Sequence, residues 1–144
     1  MRVLMFSWEY PPHVVGGLGK HVAEILPCLG SLENLEVHLV TPRWGGGAAR
    51  EMVGGATVHR VDPPITEGDF YTAAWQTNLR LEEYARNLWQ ESGPFDLIHA
   101  HDWLVAFVGA ACKRNYTVPL VSTIHATEKG RGRGTLGSDQ ARRP

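Results

Sequence analysis

RVLMFSWEYPPHVVGGLGKHVAEIL, residues 2–26, is the stretch that decides the architecture. Val3, Leu4, Met5 and Phe6 form a dense bulky run ending at Ser7, the pattern of a strand covered on both faces of a sheet. Pro11 and Pro12 prevent its continuation. A helix is predicted from Gly17 or Leu18, because Leu18, Val22, Ile25, Leu26 and Leu29 recur at the three-and-four-residue spacing of one apolar face. Pro27 falls inside that helix and removes an amide donor, so its last turns are expected to kink or divide. A buried strand feeding a helix through a glycine-rich loop is the opening unit of an α/β fold with a mostly parallel sheet.

The pattern repeats downstream. Val37 to Thr41 reads as a second strand, followed by a turn at Gly45, Gly46 and Gly47. Glu51 to Val53 and Ala56 to Val61 flank Gly54 and Gly55, either as a hairpin or as successive short strands closed by Pro63 and Pro64. A long helix from about Phe70 to Glu91 places Ala74, Leu81, Ala85 and Leu88 on one side, with Trp75, Tyr84 and Trp89 widening the face; Gly93 and Pro94 stop it. Asp96 to Ala100 is a further strand and Trp103 to Cys112 a helix with Leu104, Phe107, Val108 and Ala111 inward. Leu120 to Ile124 is the last strand.

Size and charge narrow the function classes. At 144 residues, 43% apolar and 20% charged, the chain suffices for one α/β domain. Fourteen Lys and Arg against fifteen Asp and Glu give a net charge of -1, which offers no general attraction to nucleic acid or to an anionic membrane. Residues 1–129 are expected to form the domain. Residues 130–144, rich in Arg and Gly, read as a poorly ordered tail or a truncated continuation. Cys28 and Cys112 lie in apolar helical patterns without a Cys-x-x-Cys motif and read as reduced core thiols, which suggests the cytoplasm. The N-terminal residues carry no secretion signal pattern, and no membrane span is evident.

Three polar segments follow predicted strands: SWEYPPHVVGG, HAHDW and TIHATEKGR. In a parallel α/β sheet the ligand crevice lies beyond the carboxyl ends of the strands, so their shared placement marks a site. Gly16, Gly17 and Gly19 sit where loop becomes helix, either as a tight turn or as a place where free amides and the helix dipole meet a phosphate. Their spacing matches neither a dinucleotide fingerprint nor a P-loop, although Lys20 follows. His99, His101 and Asp102 admit a metal reading, a packing and capping reading, and a sugar or phosphate reading. His101 is the better site candidate, standing where strand gives way to helix, and Asp102 could accept from sugar hydroxyls while orienting that turn. His125, between Thr123 and Thr127 and near Glu128, is either a satisfied structural histidine or a substrate contact. Trp8, Glu9 and His13 add an aromatic and hydrogen-bonding surface suited to a sugar or to an interdomain contact.

Taken together and in this order, FSWEYPPHVVGGLGKHV, HAHDW and TIHATEKGR resemble the amino-terminal half of a family 4 retaining glycosyltransferase of the glycogen or starch synthase branch. The resemblance implies a Rossmann-like amino-terminal domain of a two-domain GT-B architecture, whose carboxyl-terminal Rossmann-like partner binds most of a nucleotide diphosphate sugar. It implies that Gly16 and Gly17 approach the donor phosphates, that His101 and Asp102 lie beside the transferred sugar, that Glu9 lies on the acceptor side and that His125 is the catalytic contact near the reaction centre. Val14 and Val15 stand where close bacterial glycogen synthases have Lys-Thr, and Leu104 stands where they place another histidine. Those two contacts do not carry over, and the acceptor stays broader than glycogen. Glu83 and Glu91 have the spacing of the family's acidic pair but fall inside the long first-half helix, where they read as solvated.

The resulting expectation is the acceptor-side half of an enzyme moving a sugar, glucose by resemblance, from a nucleotide diphosphate donor to a glucan or other hydroxyl acceptor. It needs no cofactor and no metal, and the isolated chain is expected to be inactive. Two alternatives are a non-catalytic carbohydrate-binding or assembly domain and an NAD(P)-dependent oxidoreductase. Against the latter, the second strand ends in Thr41, Pro42 and Arg43 with no acidic ribose contact.

Overall fold

The computed structural model describes residues 1–126. The expectation for residues 130–144 lies outside the described residues. Six strands form one sheet: β1 (Arg2–Ser7), β2 (Glu36–Pro42), β3 (Arg50–Val53), β4 (Ala56–Val61), β5 (Leu97–His101) and β6 (Leu120–Thr123). Their order is β3-β4-β2-β1-β5-β6, parallel throughout except for β3 against β4. Three α-helices connect them: α1 (Gly17–Gly30), α2 (Phe70–Ser92) and α3 (Ala106–Tyr116). From β1 the chain moves outward through β2 and β4, then returns to the other side of β1 for β5 and β6. That reversal is the topological switch point at which α/β sheets open a ligand crevice.

The apolar run of β1 is buried from Val3 to Ser7, and the strand's alternation divides it between two cores. Leu4 and Phe6 pack with Leu81, Ala85 and Leu88 of α2 and with Val108 and Cys112 of α3. Val3 and Met5 pack with Val22 and Leu26 of α1. Each such side chain withdrawn from water contributes about 1.5–3 kcal/mol, so β1 is the layer that both helical faces share. Among the described residues no helix is long and apolar enough to cross a membrane.

Several local expectations are corrected. α1 is not divided at Pro27: it runs on to Gly30, and the Pro27 carbonyl still accepts from the Ser31 amide at 3.1 Å. Pro27 instead packs on the β3–β4 turn, where a Cβ added at Gly54 would lie 2.6 Å from the proline Cβ. Of the two alternatives for that region, the hairpin is realised: Val53 pairs with Ala56, and Gly54 and Gly55 have φ of 55° and 92°. Two successive positive φ angles define the turn whose twist matches the flanking strands, and glycine adopts them without a Cβ penalty.

The helix read from Trp103 begins as a single 3-10 turn, Trp103–Val105, and α3 follows it to Tyr116. Residues wound three per turn advance the side-chain direction faster than 3.6-residue counting allows, so the inward face is shifted. Val105, Val108, Ala111 and Cys112 are buried, whereas Phe107, expected inward, is 52% exposed and meets Trp75 edge-on at 4.9 Å. Trp75 is itself exposed rather than part of the buried face of α2. Cys112 is a core thiol, pushed up to about 12 mainly by burial, but Cys28 is exposed and not in a core; its thiol lies 3.5 Å from the Glu24 carbonyl.

Candidate active site

The sheet register gathers the site. Ser7 at the end of β1 pairs with His101 at the end of β5, and His101 pairs with Thr123 at the end of β6. Three parallel strands therefore finish level with one another, and the segments leaving them share one edge. They enclose a cleft of about 470 Å³ lined by Glu9, Gly16, Gly17 and Leu18 from the first loop, Phe70 from α2, Asp102, Trp103 and Leu104 after β5, and His125 and Ala126 after β6.

Gly16 is the N-cap of α1 and supplies no side-chain cap. The first amides of the helix are thus offered to the cleft with their share of positive dipole. Nothing lies within 4 Å of where a Cβ would stand on Gly16 or Gly17, and neither has a left-handed φ. Neither crowding nor backbone conformation within the described residues demands glycine at these two positions. Glu9 fixes the approach: its Oε2 accepts from the amides of Val15 at 3.1 Å and Gly16 at 3.3 Å. A Cβ at Gly19 would come within 2.8 Å of the same oxygen. Glu9 therefore faces the cleft and also shapes the loop that delivers the glycines.

Asp102 turns the chain at the end of β5 with φ of 68° and ψ of 176°, a region that side chains other than glycine rarely occupy. Its carboxylate accepts from the Trp103 amide at 2.9 Å, and its own amide donates to the Thr123 carbonyl at 2.8 Å. Capping and cleft lining coexist in this residue. His99 does not share a ligand set with Asp102: its Nε2 is 2.7 Å from the Thr123 hydroxyl.

His101, expected beside the sugar, is fully buried and is not among the residues that line the cleft. Its Nδ1 lies 3.3 Å from Nε2 of His125, which does line the cleft. Burial, followed by the neighbouring imidazoles of His99, His125 and His21, pushes His101 down to about 3; burial likewise lowers His99. Both rings are neutral at physiological pH.

His21 joins this group from the second turn of α1, its ring 5.0 Å from that of His125 and 5.8 Å from that of His101. Its sequence context assigns it no role, although it stands four residues after Gly17 and so over the same helix face. Phe70 is a further lining residue that the sequence pattern does not mark. It contacts the ring of Trp103 at 6.3 Å across the cleft mouth, a pairing made by two distant segments.

The sheet order, the switch point and the cleft define a Rossmann-like α/β domain of the kind paired in GT-B enzymes. The fold matches the sucrose-phosphate synthase from Thermosynechococcus elongatus with a TM-score of 0.74 at 17% identity, covering 99% of this chain and 37% of that one. It also matches the catalytic domain of starch synthase IV from Arabidopsis thaliana bound to ADP and acarbose, with a TM-score of 0.60 at 20% identity over 99% of this chain and 38% of that one. Residues 15–143 match Glycosyltransferase Family 4, and the chain belongs to that family. It is 35% identical to a glycogen synthase of Mycobacterium tuberculosis (strain CDC 1551 / Oshkosh), over 99% of this chain and 37% of that protein. It is 36% identical to an uncharacterized glycosyltransferase of Methanocaldococcus jannaschii, over 96% of this chain and 34% of that protein. The chain thus spans little more than a third of these relatives. Family membership sets aside the oxidoreductase alternative.

Proposed function

We propose that this chain is the amino-terminal, acceptor-side half of a two-domain retaining glycosyltransferase that moves a sugar, with glucose the leading candidate, from a nucleotide diphosphate donor to a glucan or other hydroxyl acceptor. The observation that carries the reading is the meeting of an uncapped helix start with a histidine across one cleft. The Val15 and Gly16 amides are held by Glu9, but the helix start from Gly17 has no side-chain cap and nothing stands within 4 Å of a Cβ position on Gly17, which suits the close approach of a diphosphate. Departure of the nucleoside diphosphate develops negative charge there, and amides already oriented toward it stabilise that charge without reorganising. His125, which lines the same cleft, donates to the sugar or to the leaving oxygen.

His101, held neutral and enclosed, fixes the His125 ring so that little orientation is lost on binding. Glu9 and Asp102 present carboxylate oxygens to sugar hydroxyls while holding the two loops that carry them. The acceptor hydroxyl attacks the anomeric carbon on the face the diphosphate leaves, and the hydroxyl proton passes to the departing phosphate; no covalent enzyme nucleophile is required. A starch synthase of the same fold binds ADP and acarbose, which supports a nucleotide and a glucan-like ligand as partners. The second Rossmann-like half supplies the remaining donor contacts. The two free thiols fit a reducing compartment such as the cytoplasm.

The test is transfer by the purified chain, supplied with nucleotide-glucose donors and glucan acceptors. One wall of a two-walled site forgoes much of the positioning, worth about 7–11 kcal/mol in favourable cases, so no transfer above background is expected. Robust turnover by this chain alone would overturn the half-enzyme reading.

A further inference from the structure

We propose that His21, His101 and His125 form a binding site for a late first-row divalent cation of the zinc class, a property independent of whether the cleft serves sugar transfer. One nitrogen from each of the three rings lies within 4.8 Å of one from each of the others. The rings come from α1, from the end of β5 and from the segment after β6, so three separate elements bring their imidazoles to one point.

The distances fit the ion. Zinc binds imidazole nitrogen at about 2.0–2.1 Å in tetrahedral geometry, which sets neighbouring ligand nitrogens about 3.3 Å apart. Nδ1 of His101 and Nε2 of His125 already stand 3.3 Å apart. That spacing is the edge of a tetrahedral ligand set and is longer than the usual 2.9–3.0 Å of an N–H hydrogen bond. The third ligand requires a closure of no more than about 1.5 Å by a side chain. His21 is exposed on α1, and its ring already stands 5.0 Å from that of His125.

Nε2 of the fully buried His101 has no hydrogen-bond partner. A neutral imidazole carries its proton on one nitrogen. With the proton of His101 on Nε2, its Nδ1 presents a lone pair toward His125, as a ligand must. Three imidazoles without a carboxylate favour zinc, cobalt, nickel or copper over magnesium or calcium, which require oxygen. Three protein ligands leave a fourth position open, and His125 places it beside the cleft.

The experiment is calorimetric titration of the purified, tag-free chain with zinc(II), paired with the visible spectrum of the cobalt(II)-loaded protein. Binding of one ion with the intense absorption of tetrahedral cobalt is expected, and magnesium is expected to give no saturable heat. His21→Ala changes an exposed residue and keeps the fold, verified by circular dichroism; it should weaken zinc by about tenfold or more. His125→Ala should do the same, and His13→Ala, outside the cluster, should leave the affinity unchanged. Absence of zinc binding by the parent, equal affinity of the parent and the folded His21→Ala variant, or magnesium binding as tight as zinc would overturn the assignment.

Discussion

Gly17 and Gly30, at the two ends of α1, are glycines under opposite constraints. A Cβ at Gly17 meets nothing, whereas one at Gly30 would stand 2.4 Å from the Ala56 amide nitrogen and 2.7 Å from the Gly54 carbonyl. Gly30→Ala must therefore push backbone apart and should cost about 1–3 kcal/mol in a denaturant titration. Gly17→Ala should leave that stability unchanged or slightly raised, since alanine is the better helix former. The same Gly17→Ala change should weaken a nucleotide diphosphate sugar, because the added methyl takes up space in the cleft beside the helix start. His125→Ala should likewise weaken donor binding, while Glu83→Ala, exposed on the outer face of α2, should leave it unchanged; equal donor affinities for His125→Ala and the parent would remove His125 from the site. That Gly16, Gly17 and His125 line one cleft is legible in the sequence because they follow strands. The enclosure of His101 is not, since it depends on which rings close over it, and His21 lacks any local mark beyond its helical offset.

At the scale of elements, α2 is started by Asp69, whose carboxylate accepts from the Thr72 amide at 2.7 Å. Asp69→Ala removes this cap and should lower stability, read as a shift in denaturation midpoint with unchanged slope. The strands and the first helix could be read from apolar spacing, because burial on both faces of β1 requires an unbroken bulky run that a solvated segment would not carry. The face of α3 could not: one 3-10 turn at Trp103–Val105 rotates everything after it, and 3.6-residue counting sent Phe107 inward. Pro27 misled for a related reason. Its missing amide forfeits a single bond, the one the carbonyl four residues earlier would accept, and packing on Gly54 holds the turn in place.

Across the whole molecule, a buried polar chain couples the sheet to α2. His59 Nε2 lies 2.9 Å from His38 Nδ1, and His59 Nδ1 lies 2.7 Å from the Tyr84 hydroxyl. Burial, reinforced by Arg50 and His38, pushes His59 from the ordinary 6.5 down to about 3. The unfolded chain therefore takes up a proton that the folded one refuses, and stability present above 6.5 is lost as pH falls toward 3. The loss should approach about 1.4 kcal/mol per pH unit for this histidine, and it should shrink in His59→Gln, as followed by denaturation between about pH 7 and pH 5. The crevice depends on the same global frame, because the level ends of β1, β5 and β6 are what place Gly16, Gly17 and His125 around one space. The most direct measurement of that claim is a nuclear magnetic resonance titration of the chain with a nucleoside diphosphate glucose, a method that registers weak binding. The amides of Gly16 and Gly17 and the ring of His125 are expected to shift together along one saturation curve; saturation that moves other residues and leaves these three still would contradict the account.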